Sequence, residues 1–316
     1  MEDDHRDPVS VILPTLRWGT ACDQLADQLK SQDELLIVCD TESDPVASHD
    51  PPENVEILIA GEPEGCSAKA NAIACGMGHA KHDRFIWSDD DYERGEDWID
   101  RLVSYGEEYG PAAVQPIFPG GGWWRLVEPV GVLLLGLQHG LLWGDGSGGY
   151  PWGGGVTFTR NDLDIPVDQL VAELRQCISD DNVLHDHVGE AYMVQSMRAT
   201  VRVDGDFQDT SRRLIRWMRA DHVRDGLVVP FIASLAVVAL AILFPLIVAT
   251  VVTVAAGFSY AQIGYSRWTF LLAYPGLLTL PVVLASGIVI DEVMWGSRRY
   301  RINDVNDIEV VARETN

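Results

Sequence analysis

The segment FIWSDDDYERGEDW sets Asp89, Asp90 and Asp91 directly after an apolar, β-compatible run. Carboxylates spaced one apart at a strand end can hold a hard divalent cation, and that cation neutralises a diphosphate. In a chain this acidic the same residues also read as three hydrated surface acids. Their place after a hydrophobic strand favours the chemical reading. Asp40 closes the run LLIVCD, where it can accept hydrogen bonds from a base or ribose or cap a turn. Lys69 and Asn71, in GCSAKANAIACGM, stand near the start of a small-residue helix, where N–H groups favour anions. With only 23 basic residues in the chain, a lysine there is weak but suggestive evidence for an anionic ligand.

Two further clusters can work with these. Asp180, Asp181 and Asn182 follow the apolar Cys177-Ile178, so at least one carboxylate faces a partly apolar pocket that raises its pKa towards that of a general base. The same pair can N-cap a helix continuing to Met197, and the two roles are compatible. His185 and His187 have a spacing a metal can use, but without further ligands they read as surface residues. In TSRRLIRWMR, Arg213 and Arg216 lie three apart on one helical face and can bind a diphosphate, with the Trp217 indole as a sugar platform. The competing reading is a positive anchor before a membrane span.

Alternating elements must position these groups. Val9 to Leu13, Glu34 to Cys39, Val55 to Ala60 and Arg84 to Ser88 read as strands, and Ala68 to His79 reads as a helix between the last two. The pattern predicts an α/β domain with a Rossmann-like, mostly parallel sheet, whose ligands sit at the carboxyl ends of strands. Pro14, Asp40 and Asp89 to Asp91 fall there. Val130 to Trp143 is apolar but too short to span a bilayer; it reads equally as a core helix or an interfacial one, and a glycine-rich segment follows it to Gly155. Uncharged residues 227–258 predict a transmembrane helix kinked at Pro245, and 268–290 a second one. Arg212, Arg213, Arg216, Arg219 and Arg224 precede the first, and Arg298, Arg299 and Arg301 follow the second, so both flanks are expected inside. The expected plan is a cytoplasmic domain over 1–225, a membrane hairpin over 226–295 and a short cytoplasmic tail over 296–316.

Composition sets limits. A net charge of -24, from 47 acidic and 23 basic residues, argues against nucleic acid as a partner. The abundant Trp, Val, Ile and Leu disfavour disorder, so the excess acid reads as the hydrated surface of a halophilic protein. Five cysteines without CxxC spacing predict neither a disulfide framework nor a zinc knuckle. The acidic N-terminus has no apolar run, so no secretory signal is expected.

Taken in order, VSVILPTLRW, the Asp40 strand, KAN at Lys69 to Asn71, DDD at Asp89 to Asp91, SDDNVL around Asp181 and RLIRW at Arg213 to Trp217 resemble glycosyltransferase family 2. The resemblance is closer to its ceramide-glucosyltransferase-like membrane subgroup. RLIRW fits the pattern (Q/R)xxRW, and WGSRRYRI is similar to that group's ending. The resemblance implies a GT-A fold, a nucleotide-diphosphate-sugar donor (a UDP-sugar) and a membrane lipid as acceptor. It implies that Asp40 and Lys69 contact the nucleotide, with Pro14, Asn71 and Asp90 around the donor, and that Asp89 and Asp91 hold Mg²⁺ or Mn²⁺. Asp181 is the implied acceptor base, with Asp180 as the alternative, while Arg213, Arg216 and Trp217 close over the diphosphate. Inversion at the anomeric carbon follows.

Three rivals stand beside this reading. A polyprenyl-phosphate sugar transferase shares the acidic motif and hairpin but commonly lacks (Q/R)xxRW. A processive polysaccharide synthase carries that motif but needs more membrane helices. A non-catalytic scaffold that binds nucleotide-sugar is expected to lose Asp91, Asp181 or Arg216, and all three are present.

Overall fold

The computed structural model describes residues 6–138, 148–221, 224–304 and 307–313. In chain order the elements begin with β1 (Val9–Pro14), α1 (Thr20–Ala26), β2 (Glu34–Cys39), β3 (Val55–Ile59), α2 (Ala68–His79), β4 (Arg84–Ser88) and α3 (Trp98–Tyr109). Next come β5 (Ala112–Ile117), α4 (Trp124–Gln138), β6 (Gly148–Gly149), β7 (Gly155–Thr159), α5 (Val167–Leu174), α6 (Asp180–Val188) and β8 (Ala191–Thr200). The remainder is α7 (Phe207–Asp221), α8 (Val228–Leu243), α9 (Pro245–Gln262), α10 (Ala273–Val289), β9 (Glu292–Trp295), β10 (Arg298–Asp304) and β11 (Asp307–Arg313). These form two compact units, Met1–Pro116 with Gly148–Thr200 and Ile117–Ser147 with Val201–Asn316.

The first unit is the α/β domain that the alternation predicts. Its eight-stranded sheet has the order β3-β2-β1-β4-β7-β5-β8-β6. The four strands from β3 to β4 run parallel, with Leu13 beside Ile37 and Ile12 beside Trp87, so their carboxyl ends share one edge. β7 enters antiparallel between β4 and β5. All six residues of β2 and all five of β4 are buried, as expected of strands covered on both faces. α2 lies close to this sheet because its residues are small. A Cβ at Gly76 would meet Ile12 Cγ2 at 2.6 Å, so only glycine admits that approach. Phe85, Trp87 and Phe158 fill the core, the Trp87 and Phe158 rings edge-on at 5.3 Å.

One expectation fails here. The helix opened by Asp180 does not continue to Met197 but stops at Val188. Gly189 takes φ 70°, a value open to glycine, and ends it. AYMVQSMRAT then forms β8, whose buried residues largely alternate, a period-2 pattern that prevails over helical continuation.

In the second unit α4 begins at Trp124, earlier than the apolar stretch expected from Val130; residues 139–147, with the rest of that stretch and most of the glycine-rich segment, lie outside the described residues. The run 227–258 is not one kinked helix. Phe244 leaves helical geometry (φ −128°, ψ 56°) before Pro245, which lacks an N–H, so α8 and α9 are separate. Among the described residues two helices are long and apolar enough to cross a membrane, Pro245–Gln262 and Trp268–Val289, and Val228–Leu243 is a shorter apolar one. Their large apolar side chains face outward, Leu246 at 83% exposure and Val289 at 75%, far more than a water-soluble surface carries. Past α10, β9, β10 and β11 form an antiparallel sheet pairing Trp295 with Arg298 and Arg301 with Glu309.

Arg267, the single charge in the apolar region, has a partner. The Glu128 carboxylate on α4 lies 3.4 Å from its Nε and accepts hydrogen bonds from Tyr260 (3.0 Å) and Thr269 (2.5 Å). Arg267 Nη2 also donates to the Gly120 carbonyl at 2.6 Å. A lone buried carboxylate would be very costly; one with three donors is held in place and ties α4 to α9.

α4 and α10 also touch backbone to side. A Cβ at Gly276 would lie 2.2 Å from the Leu126 carbonyl oxygen, whereas Gly131 on α4 has open space. Gly276→Ala is therefore expected to cost about 2–3 kcal/mol through overpacking, and Gly131→Ala to be neutral or slightly stabilising. Thermal melts of the two variants in one detergent check this contrast.

Candidate active site

β4 delivers the acidic triplet to the carboxyl edge of the parallel strands. The Asp89 amide donates to the Gly154 carbonyl at 2.9 Å, and Asp90 accepts from Thr15 Oγ1 at 2.6 Å, just past Pro14. Asp91 is exposed. Asp40 ends β2 at the same edge, 3% exposed. Beside it the connections after β1 and β2 meet: Val46 N–H donates to the Leu16 carbonyl at 3.1 Å, and the Trp18 and His49 rings stack at 3.8 Å.

Arg94, which sequence reasoning passed over, fastens the loop that carries the triplet. Its guanidinium donates to Ser88 Oγ at 2.5 Å, to the Tyr92 carbonyl at 2.9 Å and to the Asp89 carbonyl, and it lies over the Tyr92 ring at 4.0 Å. A buried cation wrapped by carbonyls, under three aspartates, fixes their backbone and offsets part of their repulsion.

Lys69 joins this edge to α6. The Ser67 side chain caps α2 by accepting from Ala70 N–H, and Lys69 in the first turn reaches Asp89 at 2.7 Å and Asp180 at 3.0 Å. Burial works against its charge, but Asp180, Asp89 and Asp181 outweigh it and hold the ammonium protonated well above the usual range. Asn71 turns elsewhere: its amide nitrogen donates to the Gly61 carbonyl at 2.9 Å and secures the connection after β3.

On α6, Ser179 rather than an aspartate is the N-cap, accepting from Asn182 N–H at 3.4 Å, which places Asp180 and Asp181 in the first turn. Asp180 is 2% exposed and paired with Lys69. Asp181 accepts the Gly153 N–H at 2.6 Å. Burial and then the adjacent Asp180 push the Asp181 carboxyl up to about 8, so it holds a proton near neutrality. The two acids are thus differently placed, one tied to an ammonium and one to a main-chain donor.

The glycines opposite them are the second feature that sequence reasoning missed. A Cβ at Gly153 would lie 2.5 Å from Asp180 and 2.7 Å from Asp181; one at Gly154 would lie 2.5 Å from Asp89. Any side chain there would collide with the carboxylates. Tyr150 donates to the Asn182 side chain and packs on His185 at 4.4 Å, pinning the same segment to α6. The glycine run was visible in the sequence, but its use, a bare backbone against carboxylates, has no residue-type signature.

Among the described residues no group of three or more His, Cys, Asp or Glu gathers as a preformed metal cage. Mg²⁺ and Mn²⁺ need no such cage, since they bind through one or two carboxylates and complete their shell with substrate phosphates and water, and Asp89 is of the residue type that serves them. The Asp89 oxygen already attracts an ammonium at 2.7 Å. His187 belongs to a different structure: its ring nitrogens meet Asp164 at 2.8 Å and Glu173 at 2.7 Å, clamping the end of α6.

Arg213, Arg216 and Trp217 lie on α7 in the second unit. Trp217 is packed edge-on against Phe118 at 4.9 Å and Trp124 at 5.5 Å. The Arg216 guanidinium lies over the Trp295 ring at 4.8 Å. Arg213 is half-buried on the same helix.

No family model and no curated protein matches the chain. Among solved structures, mannosyl-3-phosphoglycerate synthase from Rubrobacter xylanophilus is similar with TM-score 0.39 and 18% identity, over 68% of this chain and 72% of that one. Glucosyl-3-phosphoglycerate synthase from Mycobacterium tuberculosis, solved with Mn²⁺, UDP-glucose and phosphoglyceric acid, has TM-score 0.35 and 15% identity over 63% and 70%.

The His187 clamp has a defined pH dependence. Burial opposes its charge, yet Glu173 and Asp164 raise its pKa above the ordinary 6.5. A raised folded-state value contributes stability below pH 6.5 that is lost as pH rises through the folded value. His187→Gln is expected to lower the melting point at pH 6 by roughly 2–4 °C, for about 1 kcal/mol, with the gap closing by about pH 9. Paired melts of variant and parent at both pH values measure it.

Proposed function

We propose that the chain is an inverting, metal-dependent glycosyltransferase of the GT-A kind, moving a sugar from a nucleoside-diphosphate donor, a UDP-sugar, onto a lipid acceptor at the cytoplasmic membrane face. The observation that carries this reading is the pairing of a cation-attracting acidic edge at Asp89 with a separate carboxylate, Asp181, held by the Gly153 N–H at the same end of the sheet. Diphosphate departure calls for the first and acceptor activation for the second.

Asp40 and Lys69 bind the nucleotide, with Pro14 and Asp90 lining the donor's surroundings, while Asn71 holds the connection after β3. Asp89 and Asp91 hold Mg²⁺ or Mn²⁺, which supplies charge neutralisation for the departing diphosphate. The deprotonated Asp181 takes the proton of the acceptor hydroxyl while that oxygen bonds to the anomeric carbon. The bond from that carbon to the diphosphate oxygen breaks, and its electron pair leaves on the diphosphate. The Gly153 N–H aims the carboxylate and Asp180 stays with Lys69, which favours Asp181 over Asp180 as the base. Arg213, Arg216 and Trp217 are assigned to the diphosphate and acceptor from their types and order in the sequence.

A lipid acceptor is favoured by the outward apolar side chains of α8, α9 and α10, which suit hydrocarbon and not water. The arginines before Leu227 and after Ile290 favour a membrane-anchored protein with its catalytic domain in the cytoplasm.

Asp181→Asn is expected to retain nucleotide binding and lose transfer by about 10²–10⁴-fold, the usual share of a general base. Asp91→Ala is expected to abolish Mn²⁺-dependent transfer. Transfer by the parent should rise with pH through the raised range of Asp181. The assay is label transfer from a nucleotide-sugar panel into lipid extract, polyprenyl phosphate or 3-phosphoglycerate, in high salt with Mn²⁺ or EDTA. Label in phosphoglycerate alone would reject the lipid acceptor; nucleotide binding with no transfer to any acceptor would favour a scaffold.

A further inference from the structure

β4 leads into the acidic triplet at its carboxyl end and begins, at the other end, with an arginine. Arg84 is only 7% exposed, and its Nε and Nη1 are closed off from solvent. Among the described residues neither atom has a hydrogen-bond acceptor. The acids of this edge of the sheet are engaged elsewhere. Arg6 holds Asp33 at 2.6 Å and Asp100 at 2.5 Å, Lys81 holds Glu34 at 2.9 Å, and Arg160 holds Asp83 at 3.0 Å. Asp83, the nearest acid in sequence, makes its pair at the surface with its side chain 88% exposed. α3 closes over the guanidinium at Gly106, where a Cβ would lie 2.7 Å from both Arg84 Nη1 and Thr157 Cγ2. The Thr157 hydroxyl is itself spent as a donor to the Phe85 carbonyl at 3.0 Å.

A guanidinium does not shed its proton to escape burial, and a buried charge with no counter-charge is strongly destabilising. Gly106 stands in the last turn of α3. A helix end of that kind carries about half a negative charge, which offsets part of the guanidinium's charge and leaves the rest. Water meets N–H groups but brings no charge. We propose that Arg84 binds a buried chloride ion at the amino edge of the sheet, between β4 and the last turn of α3. The enclosure selects a small, spherical, singly charged anion, because phosphate or sulfate would need donors for four oxygens and would carry more charge into the same space. The little exposure left to the side chain is the ion's way in. Every residue named belongs to the first unit, and the site lies at the opposite end of β4 from the triplet, so it stands apart from the catalytic reading. Its effect is to join the foot of the strand that delivers Asp89 to the helix packed over it.

The test follows thermal melting of the full chain in a nonionic detergent while sodium gluconate, an anion too large for the enclosure, is exchanged for sodium chloride or bromide at constant ionic strength. Both halides are expected to raise the melting point of the parent in a saturable way, by roughly 3–6 °C. Arg84→Met keeps most of the side-chain length without the charge. It is expected to melt at or above the parent in gluconate, where the unanswered charge is gone, and to lose the halide-specific rise. If that variant does not fold, the parent alone decides: crystals soaked in bromide should give an anomalous-scattering peak within hydrogen-bonding distance of the Arg84 guanidinium. Equal melting of the parent in gluconate and halide, a halide rise of the same size in Arg84→Met, or water in place of bromide at the guanidinium would overturn the site.

Discussion

Three carboxylates, Asp89, Asp180 and Asp181, crowd the carboxyl edge of the first unit's sheet, and their mutual repulsion must be answered before that edge can exist. Lys69 answers most of it, with one ammonium against Asp89 and Asp180. Asp181 is left with a main-chain N–H and responds by holding a proton. Removing the lysine alone would leave buried acids uncompensated, a far larger penalty than the pairing itself is worth. The small residues of α2 and the glycines at 153 and 154 follow from the same need, because they let the ammonium and the backbone reach the acids.

The second unit solves the opposite problem. Its helices α8 to α10 are apolar on the outside, and the one carboxylate of α4 beside them is answered internally: Glu128 gathers Tyr260, Thr269 and Arg267, and the Arg267 guanidinium reaches Gly120. Such saturation is what burial in a medium without water demands. The apolar stretch also had to end its first helix at Phe244, because Pro245 removes a donor where the helix would have continued.

Much of this was readable in advance because it is local. β1, β2 and β4 are short, largely apolar runs, the range Ala68–His79 of α2 matches the expected helix, and the parallel sheet follows from their alternation. The acids of the site were legible from where those runs end. What escaped was non-local or lacked a side chain. The Glu128–Arg267 pair joins residues far apart in sequence, Arg94 looked like one more charge in a charged loop, and Gly153 acts through an amide that every residue but proline possesses. The chain after Gly189 was misread as helix although its alternation was present, because the preceding helical period was extended across a glycine. The last strands, short and rich in arginine, resembled a membrane flank more than a sheet.

The contact between Gly153 and Asp181 also sets how the site meets ionic strength. Exposed pairs such as Arg301 with Glu309 are felt only across a Debye length, which shrinks to about 3 Å in 1 M salt. A main-chain amide closed on a carboxylate at 2.6 Å leaves no gap for counterions to enter, has no pKa of its own and has no rotamers to lose. Against a surface whose net charge is -24, the aim of the Asp181 carboxylate is set by a donor that dissolved ions neither screen nor replace. Brine would quiet the exterior of this molecule and leave the alignment of Asp181 unchanged.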